Sequence, residues 1–234
     1  IDLGLEANMK SASPTVSYPL VYKRDKAVFF RGTVGWTDEI QQTNVSGEDQ
    51  DLSHDRITAL RLGVSLNRCL TGCLGIDFQF SRGIDIASRS QGDVGKGTPL
   101  SRSSGKNNFS HFNLDTTYAV ALDKNLEFNI NTGGQLSLDD LLNSEQSSIT
   151  GSDKLSGFTS GSISGDESWY FRGQLNYKKK LNNKLTLTPY VYGATGVSYT
   201  LTPTATENRA TAAKSIGLGL KMDGIDNYFF DKNI

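Results

Sequence analysis

Apolar and polar residues alternate along most of this chain with a period of two. Trp169, Phe171, Leu175 and Tyr177 take turns with Tyr170, Arg172, Gln174 and Asn176. Leu60, Leu62, Val64 and Leu66 oppose Ala59, Arg61, Gly63 and Ser65, while Leu74, Ile76, Phe78 and Phe80 oppose Gly75, Asp77, Gln79 and Ser81. Successive side chains of an extended strand point to opposite faces, so each stretch predicts a β-strand with one oily and one wet side. The same pattern sets Val28, Phe30, Val34 and Trp36 against Phe29, Arg31 and Thr33, and Phe112, Leu114, Tyr118, Val120 and Leu122 against Asn113, Asp115 and Thr117. Leu126, Phe128 and Ile130 likewise oppose Glu127, Asn129 and Asn131. Ile1, Leu3, Leu5 and Ala7 open the series, MKSASPT at residues 9–15 supplies turn residues, and Val16, Tyr18 and Leu20 form a further strand. About eleven strands are legible, the last in GIDNYFFDKNI.

A soluble β-sandwich shows the same alternation, so the pattern alone leaves two architectures open. The connections separate them. Long ones follow Thr37, Ser81, Ser137 and Thr200, and short turns lie between them at Arg68, Lys124, Lys180 and Gly224. This rhythm predicts an all-β protein, an antiparallel transmembrane β-barrel with tight turns on one side and extended loops on the other. Strands of roughly 9–11 residues are expected. Residues 38–55 read as a polar loop, residues 82–110 as a second, and residues 138–168 as a long Gly- and Ser-rich third. A loop of that third kind persists in a compact domain only when it has a task. Arg31, Arg61, Asp77, Gln79, Asp115, Glu127, Asn129 and Gln174 fall on the wet faces and are expected to line a lumen. Tyr18, Trp36, Tyr118, Trp169, Tyr177 and Tyr190 sit near strand ends, where an interfacial girdle would place them.

Composition narrows the function. A formal net charge of -1 over 234 residues gives no electrostatic footprint for nucleic acid. No apolar run approaches the roughly 18 residues of a spanning helix, which leaves a strand-built crossing untouched. The chain opens at Ile1 with no signal-like segment, so upstream periplasmic domains absent from this stretch are expected. Cys69 and Cys73 stand four apart in NRCLTGC. Without further ligands nearby they suit a turn-stapling disulfide or two free thiols better than a metal site. His54 and His111 lie in distant polar stretches with no clustered nucleophile, and no G-x-x-x-x-G-K-[ST] occurs. No catalytic residues, metal or cofactor are expected.

A resemblance enters at the third loop. SEQSSITGSDKLSGFTSGSISGDESWYFRGQL resembles the signature of two-partner secretion transporters, the hemolysin-activator branch of the outer-membrane protein-insertion superfamily. Ser144, Glu145 and Gln146 match the family's SEQ opening, and Leu155, Ser156, Gly157 and Phe158 its V-R-G-(F/Y) core. Gly165 and Asp166 match its G-D, and Trp169, Tyr170, Arg172 and Leu175 its W-Y-x-R-x-E-L strand. SYPL at residues 17–20, PYVYGATGV at residues 189–197 and SIGLGL at residues 215–220 are weaker echoes. The resemblance implies a sixteen-stranded barrel, of which this chain holds the fifth to fifteenth strands, residues 1–234 forming one barrel domain. It implies that the long loop folds into the lumen against a wall motif comprising Trp169, Arg172, Tyr192, Ala194 and Gly196.

The departures are specific. The family's loop arginine falls on Ser156 and its aspartate partner on Ala194. Losing one member of a buried pair costs about 3–5 kcal/mol, whereas losing both avoids an orphaned charge. Any remaining anchor is expected at Phe158, in backbone hydrogen bonds, or at Arg172 and Asp166. The implied function is an outer-membrane pore, acting as a monomer in a Gram-negative cell, that moves a large unfolded exoprotein such as an adhesin or hemolysin. The alternatives are a barrel-insertion protein of the same superfamily and a passive porin-like channel.

Overall fold

The computed structural model describes residues 5–45, 48–182 and 185–224. Nearly all of it is one antiparallel sheet. In chain order the strands are β1 (Leu5–Ala12), β2 (Thr15–Tyr22), β3 (Lys26–Val45), β4 (Glu48–Cys69), β5 (Gly72–Ile84), β6 (Ser110–Ala121) and β7 (Leu126–Ser137). Then follow β8 (Ser147–Ser148), β9 (Ser164–Gly165), β10 (Glu167–Tyr177), β11 (Lys179–Lys180), β12 (Leu185–Tyr199) and β13 (Ala210–Gly224). The strands pair in the order β3, β4, β5, β6, β7, β10, β12 and β13, with β1 and β2 both on β3 at one edge and β11 beside β12, while β8 and β9 form a separate two-stranded sheet within the connection from β7 to β10. Among the described residues these edges do not pair with each other.

The register fixes which residues share a face. Phe30, Val64, Phe78, Leu114, Gly134, Trp169 and Val197 form one row across seven strands. The row one residue along, Arg31, Gly63, Gln79, Asn113, Gln135, Ser168 and Ser198, lies on the opposite face. The apolar row and its parallels face outward: Leu60, Leu62, Val64, Phe78 and Leu114 are all exposed. The buried residues lie on the other side, where polar side chains pair with one another and with the long loops. A soluble sandwich would show the reverse, so the architecture is an open stretch of barrel wall with an oily exterior and a polar interior.

Four expectations are corrected. First, residues 9–15 make no turn. β1 pairs with β3 from Leu5↔Thr43 to Ala12↔Trp36, and β2 continues along the same neighbour from Thr15↔Thr33 to Tyr22↔Ala27. Pro14 interrupts the ladder because it has no N–H, but its carbonyl still accepts Val34 N at 3.2 Å, so the chain passes straight through. Second, among the described residues the eleven strands of the sheet make fewer than eleven crossings, since β1 and β2 share one path and β11 is a two-residue fragment. The expected strands at Ile1 and in residues 225–234 lie outside the described residues.

Third, residues 38–45 and 48–55 are no loop. β3 and β4, of 20 and 22 residues, run on as a hairpin beyond the apolar band. There strands need no oily face, and cross-strand pairs suffice: Asp38 accepts from Arg56 and meets His54, and Gln42 donates to Asp51. Fourth, Tyr190 belongs to no outer girdle. It faces inward beside Tyr192, at 6.4 Å between ring centroids, with Lys221 over its ring.

The short turns sit at one end of the wall, where Cys69 and Cys73 form a disulfide across the β4–β5 turn. All long connections sit at the other end.

Candidate functional site

Residues 138–166 leave β7, turn back over the inner face and return to β10. Three groups of contacts hold them there, one at each end of the loop and one at its tip.

The outer end is tied by Asp166, which is fully buried. Its Oδ1 accepts from Arg102 Nη1 at 2.6 Å, from the Leu141 amide at 2.9 Å and from Gln146 Nε2 at 3.3 Å, while Oδ2 accepts from the Leu201 amide at 2.8 Å. Arg102 comes from the β5–β6 loop and Leu201 from the β12–β13 loop, so one carboxylate joins three long connections. The β5–β6 loop also packs Leu100 and Phe109 with Leu141 and Leu142 on Ile57 and Ala59 of β4. Gly165 permits this approach, since a Cβ there would lie 2.4 Å from Ser198 Oγ and 2.5 Å from Tyr199 O.

Glu145 makes the second tie. Arg61 of β4 grips it through two nitrogens, at 2.6 and 2.9 Å, and His111 Nε2 of β6 lies 3.3 Å away. Burial alone would push the Glu145 carboxyl up, but hydrogen bonds from His111 and Arg61 outweigh it and hold the carboxyl below its usual range. Two parallel N–H···O bonds also fix its orientation.

The tip is held by an apolar contact and a wall cation. Leu155 and Ile149 are fully buried and pack with Tyr170, Tyr192 and Ala194. Gly196 lets Ile149 sit close, because a Cβ there would come within 3.2 Å of it. Arg172 of β10 donates from Nη1 to Ser156 Oγ at 2.8 Å and to the Lys154 carbonyl at 3.0 Å, with its guanidinium 3.8 Å above the Tyr192 ring. Burial pushes the Lys154 ammonium down, against the pull of Asp115. Its Nζ donates to the Ser148 carbonyl at 2.6 Å and lies 4.9 Å from the Tyr170 ring.

The structure thus brings Leu155 and Ser156 to Arg172, Tyr192 and Ala194, Gly157 to Ser215 of β13, Gly165 to Ser198 and Tyr199 of β12, and Asp166 to the other long loops. Arg172 and Ala194 are register partners, so the cation stands on the wall, where the family pattern has its aspartate, and the loop offers an uncharged acceptor. Two expected contributors play no part in this contact. Trp169 faces outward and is 49% exposed, and Phe158, 40% exposed, joins neither apolar cluster. Of the expected lumen residues, Arg31 pairs with Asp77 at 2.6 Å, Glu127 with Lys178 at 2.6 Å, and Asp115 accepts from Tyr170 at 3.0 Å. Gln79 donates to Ser81, and Gln174 donates to Asn176. Arg102 and the Glu145–Arg61–His111 cluster went unread in the sequence. The one available signal was LDDLL, whose Leu141 and Leu142 interrupt an otherwise polar loop.

A strand-built wall, oily outside and polar inside, with a long loop folded onto its inner face, defines a plugged β-barrel membrane protein. The family model of the haemolysin secretion/activation protein ShlB/FhaC/HecB matches residues 5–222. The chain belongs to this family of outer-membrane β-barrel transporters of two-partner secretion. It is similar in structure to CdiB from Escherichia coli, with a TM-score of 0.75 and 18% identity over 93% of this chain and 39% of that one. It is also similar to CdiB from Acinetobacter baumannii, with a TM-score of 0.64 and 16% identity over 92% of this chain and 36% of that one. The chain therefore spans well under half the length of these two proteins. No curated protein sequence matches it significantly.

Proposed function

We propose that this chain forms wall and plug of an outer-membrane pore that passes a large unfolded exoprotein, an adhesin or a hemolysin, out of the cell. The observation that carries the reading is the triple tethering of residues 138–166 to the polar face, through Asp166, Glu145 and the Leu155–Arg172 contact. A passive channel gains nothing from so firmly held an obstruction. A secretion pore needs one, because an opening wide enough for an extended chain would otherwise leak.

The outward band of Leu60, Leu62, Val64 and Phe78 meets outer-membrane lipid, and the protein works as a monomer. The polar inner face keeps the passing backbone hydrogen-bonded, which an oily lumen could not do. Passenger folding outside supplies the direction of travel.

Planar-bilayer recording of the full-length transporter, with secretion of its passenger measured in cells, tests this. Low, fluctuating conductance that becomes large and steady when residues 139–164 are deleted is expected. High, steady conductance of the unaltered protein, with no passenger released, would assign it to the passive channels.

A further inference from the structure

Charge is unevenly spread along the axis of the wall. At the short-turn end the β2–β3 turn carries Lys23, Arg24 and Lys26, β4 closes with Arg68, the β6–β7 turn carries Lys124, and β10 runs out into three lysines at residues 178–180. Asp25 and Asp123 are the carboxylates that these turns set against those eight cations. At the long-loop end Arg56, Arg102 and Lys106 each hold a carboxylate, those of Asp38, Asp166 and Asp139. Among the described residues, the one ion pair at the short-turn end joins Lys178 to Glu127. The rim that bears the uncompensated charge is stiff. The Asp25 carbonyl accepts from the Cys69 amide at 2.9 Å, the Asn125 carbonyl from the Lys178 amide at 2.7 Å, and the Cys69–Cys73 disulfide closes the turn between β4 and β5.

The register decides which way these cations face. Phe30 pairs with Val64 and Val28 with Leu66 on the oily exterior, and the next pair on that face is Lys26 with Arg68. The same row continues through Leu74 to Tyr118, so the apolar band ends in two adjacent cations beside a tyrosine, the sequence of side chains that a membrane interface favours. Across the wall Lys179 pairs with Leu187, which pairs in turn with the exposed Met222. The carboxylates of the described strands at this end lie on the other face: Glu127 opposes the buried Asn176, and Asp223 opposes Thr186. Three of the turns also expose a leucine close to a cation, Leu70 near Arg68, Leu122 near Lys124 and Leu181 beside Lys180.

We infer that this rim is a binding surface for the headgroups of anionic phospholipids, with Lys26, Arg68 and Lys179 reaching outward to lipid phosphate. Short turns of such barrels face the periplasm, so the lipid is that of the periplasmic leaflet. Basic residues flanking an apolar segment are drawn to an anionic lipid surface, and their long stems let the charge leave the oily band while the methylenes stay in it. The leucines dip into the acyl boundary beside them, so each turn combines an apolar contact with a charged one. The outward direction of the three cations selects lipid over protein. An acidic passenger would be met from the lumen, and a periplasmic domain from beneath the turns, whereas these side chains project from the lipid face. Clamped between an oily band and a charged rim, the wall is held at a fixed depth and orientation in the membrane.

The test reconstitutes the full-length transporter in bilayer discs of phosphatidylcholine and phosphatidylglycerol, and compares how much spin-labelled phosphatidylglycerol and spin-labelled phosphatidylcholine is immobilised at its surface. The unaltered protein should prefer phosphatidylglycerol by about fivefold at low salt, and the preference should shrink as salt is raised to about 0.5 M. Lys26→Gln with Arg68→Gln and Lys179→Gln should remove most of it. Lys178→Gln with Lys180→Gln and Lys221→Gln takes the same charge from the inner face, where Lys180 pairs with Thr186 and Lys221 with Thr188, and should leave it in place. Equal preference for the two lipids in the unaltered protein would overturn the proposal, and that measurement needs no variant to fold. Full preference in the outward triple variant, or the same loss in both variants, would overturn it too, the second by tracing the effect to net charge instead of to this face. Lipid preference is read with no passenger present, so it stands or falls apart from the secretion reading.

Discussion

Arg102 Nη1 lies 2.6 Å from Asp166 Oδ1, with the two side chains 7% and 0% exposed, although 64 positions separate them in sequence. This pair ties the long connections together at one end of the wall, since its two members belong to different ones and the same carboxylate also receives the Leu201 amide. Truncating one partner strands a buried charge. Asp166→Ala should cost about 3–5 kcal/mol of loop docking, whereas Arg102→Met with Asp166→Leu should cost clearly less. Protease accessibility of residues 138–166 in the membrane-inserted protein measures both, and equal loss in the two variants would contradict it.

The tip anchor responds to charge at two positions. Ser156→Arg alone sets a second guanidinium against Arg172, now 2.8 Å from Ser156 Oγ, and should release the tip. Ala194→Asp alone puts a carboxylate into the apolar cluster of Leu155 and Ile149, at a cost of several kcal/mol. Combined, the two should re-anchor the loop. Protection of the double variant no better than that of Ser156→Arg would show that the apolar contact, once broken, is not replaced by an ionic one.

Acid should loosen the plug at its Glu145 tie. This carboxyl is held below its ordinary value of 4.5 in the folded state. Such a group contributes stability that is present above its unfolded pKa and lost as pH falls through the folded one. Loop protection should therefore be constant from neutral pH down to about 4.5 and weaken only below it. Glu145→Gln should lower protection at neutral pH and flatten this acid limb. A variant that keeps the unaltered protein's acid profile would place the titrating group elsewhere.

Charge on the outward band should block insertion. Val64→Lys faces the exterior between Phe30 and Phe78, where a lysine at mid-depth costs about 2–4 kcal/mol. Asn113→Lys, in the adjacent inner row, should insert normally. Urea titration of folding into lipid vesicles separates the two, and equal midpoints would mean that the faces are reversed.

By itself the sequence determined the strands, their two faces and the side on which the long connections lie. Each of these follows from alternation and turn residues, which are local. The long hairpin was misread because polar residues beyond the apolar band look like loop until a partner strand is seen to pair with them. Pro14 was misread because a proline between two strands marks a turn unless both halves follow one neighbour. The signature around Ser156 pointed to the loop and to the missing charge pair, but left open what replaces that pair. Only tertiary structure decided it. Arg102 with Asp166, Arg61 with Glu145 and Leu155 with Tyr192 are far apart in sequence, and their meeting depends on the loop turning inward rather than out. Burial, not spacing, sets the value of those contacts, and burial exists only once the wall has curved and the loop has entered it.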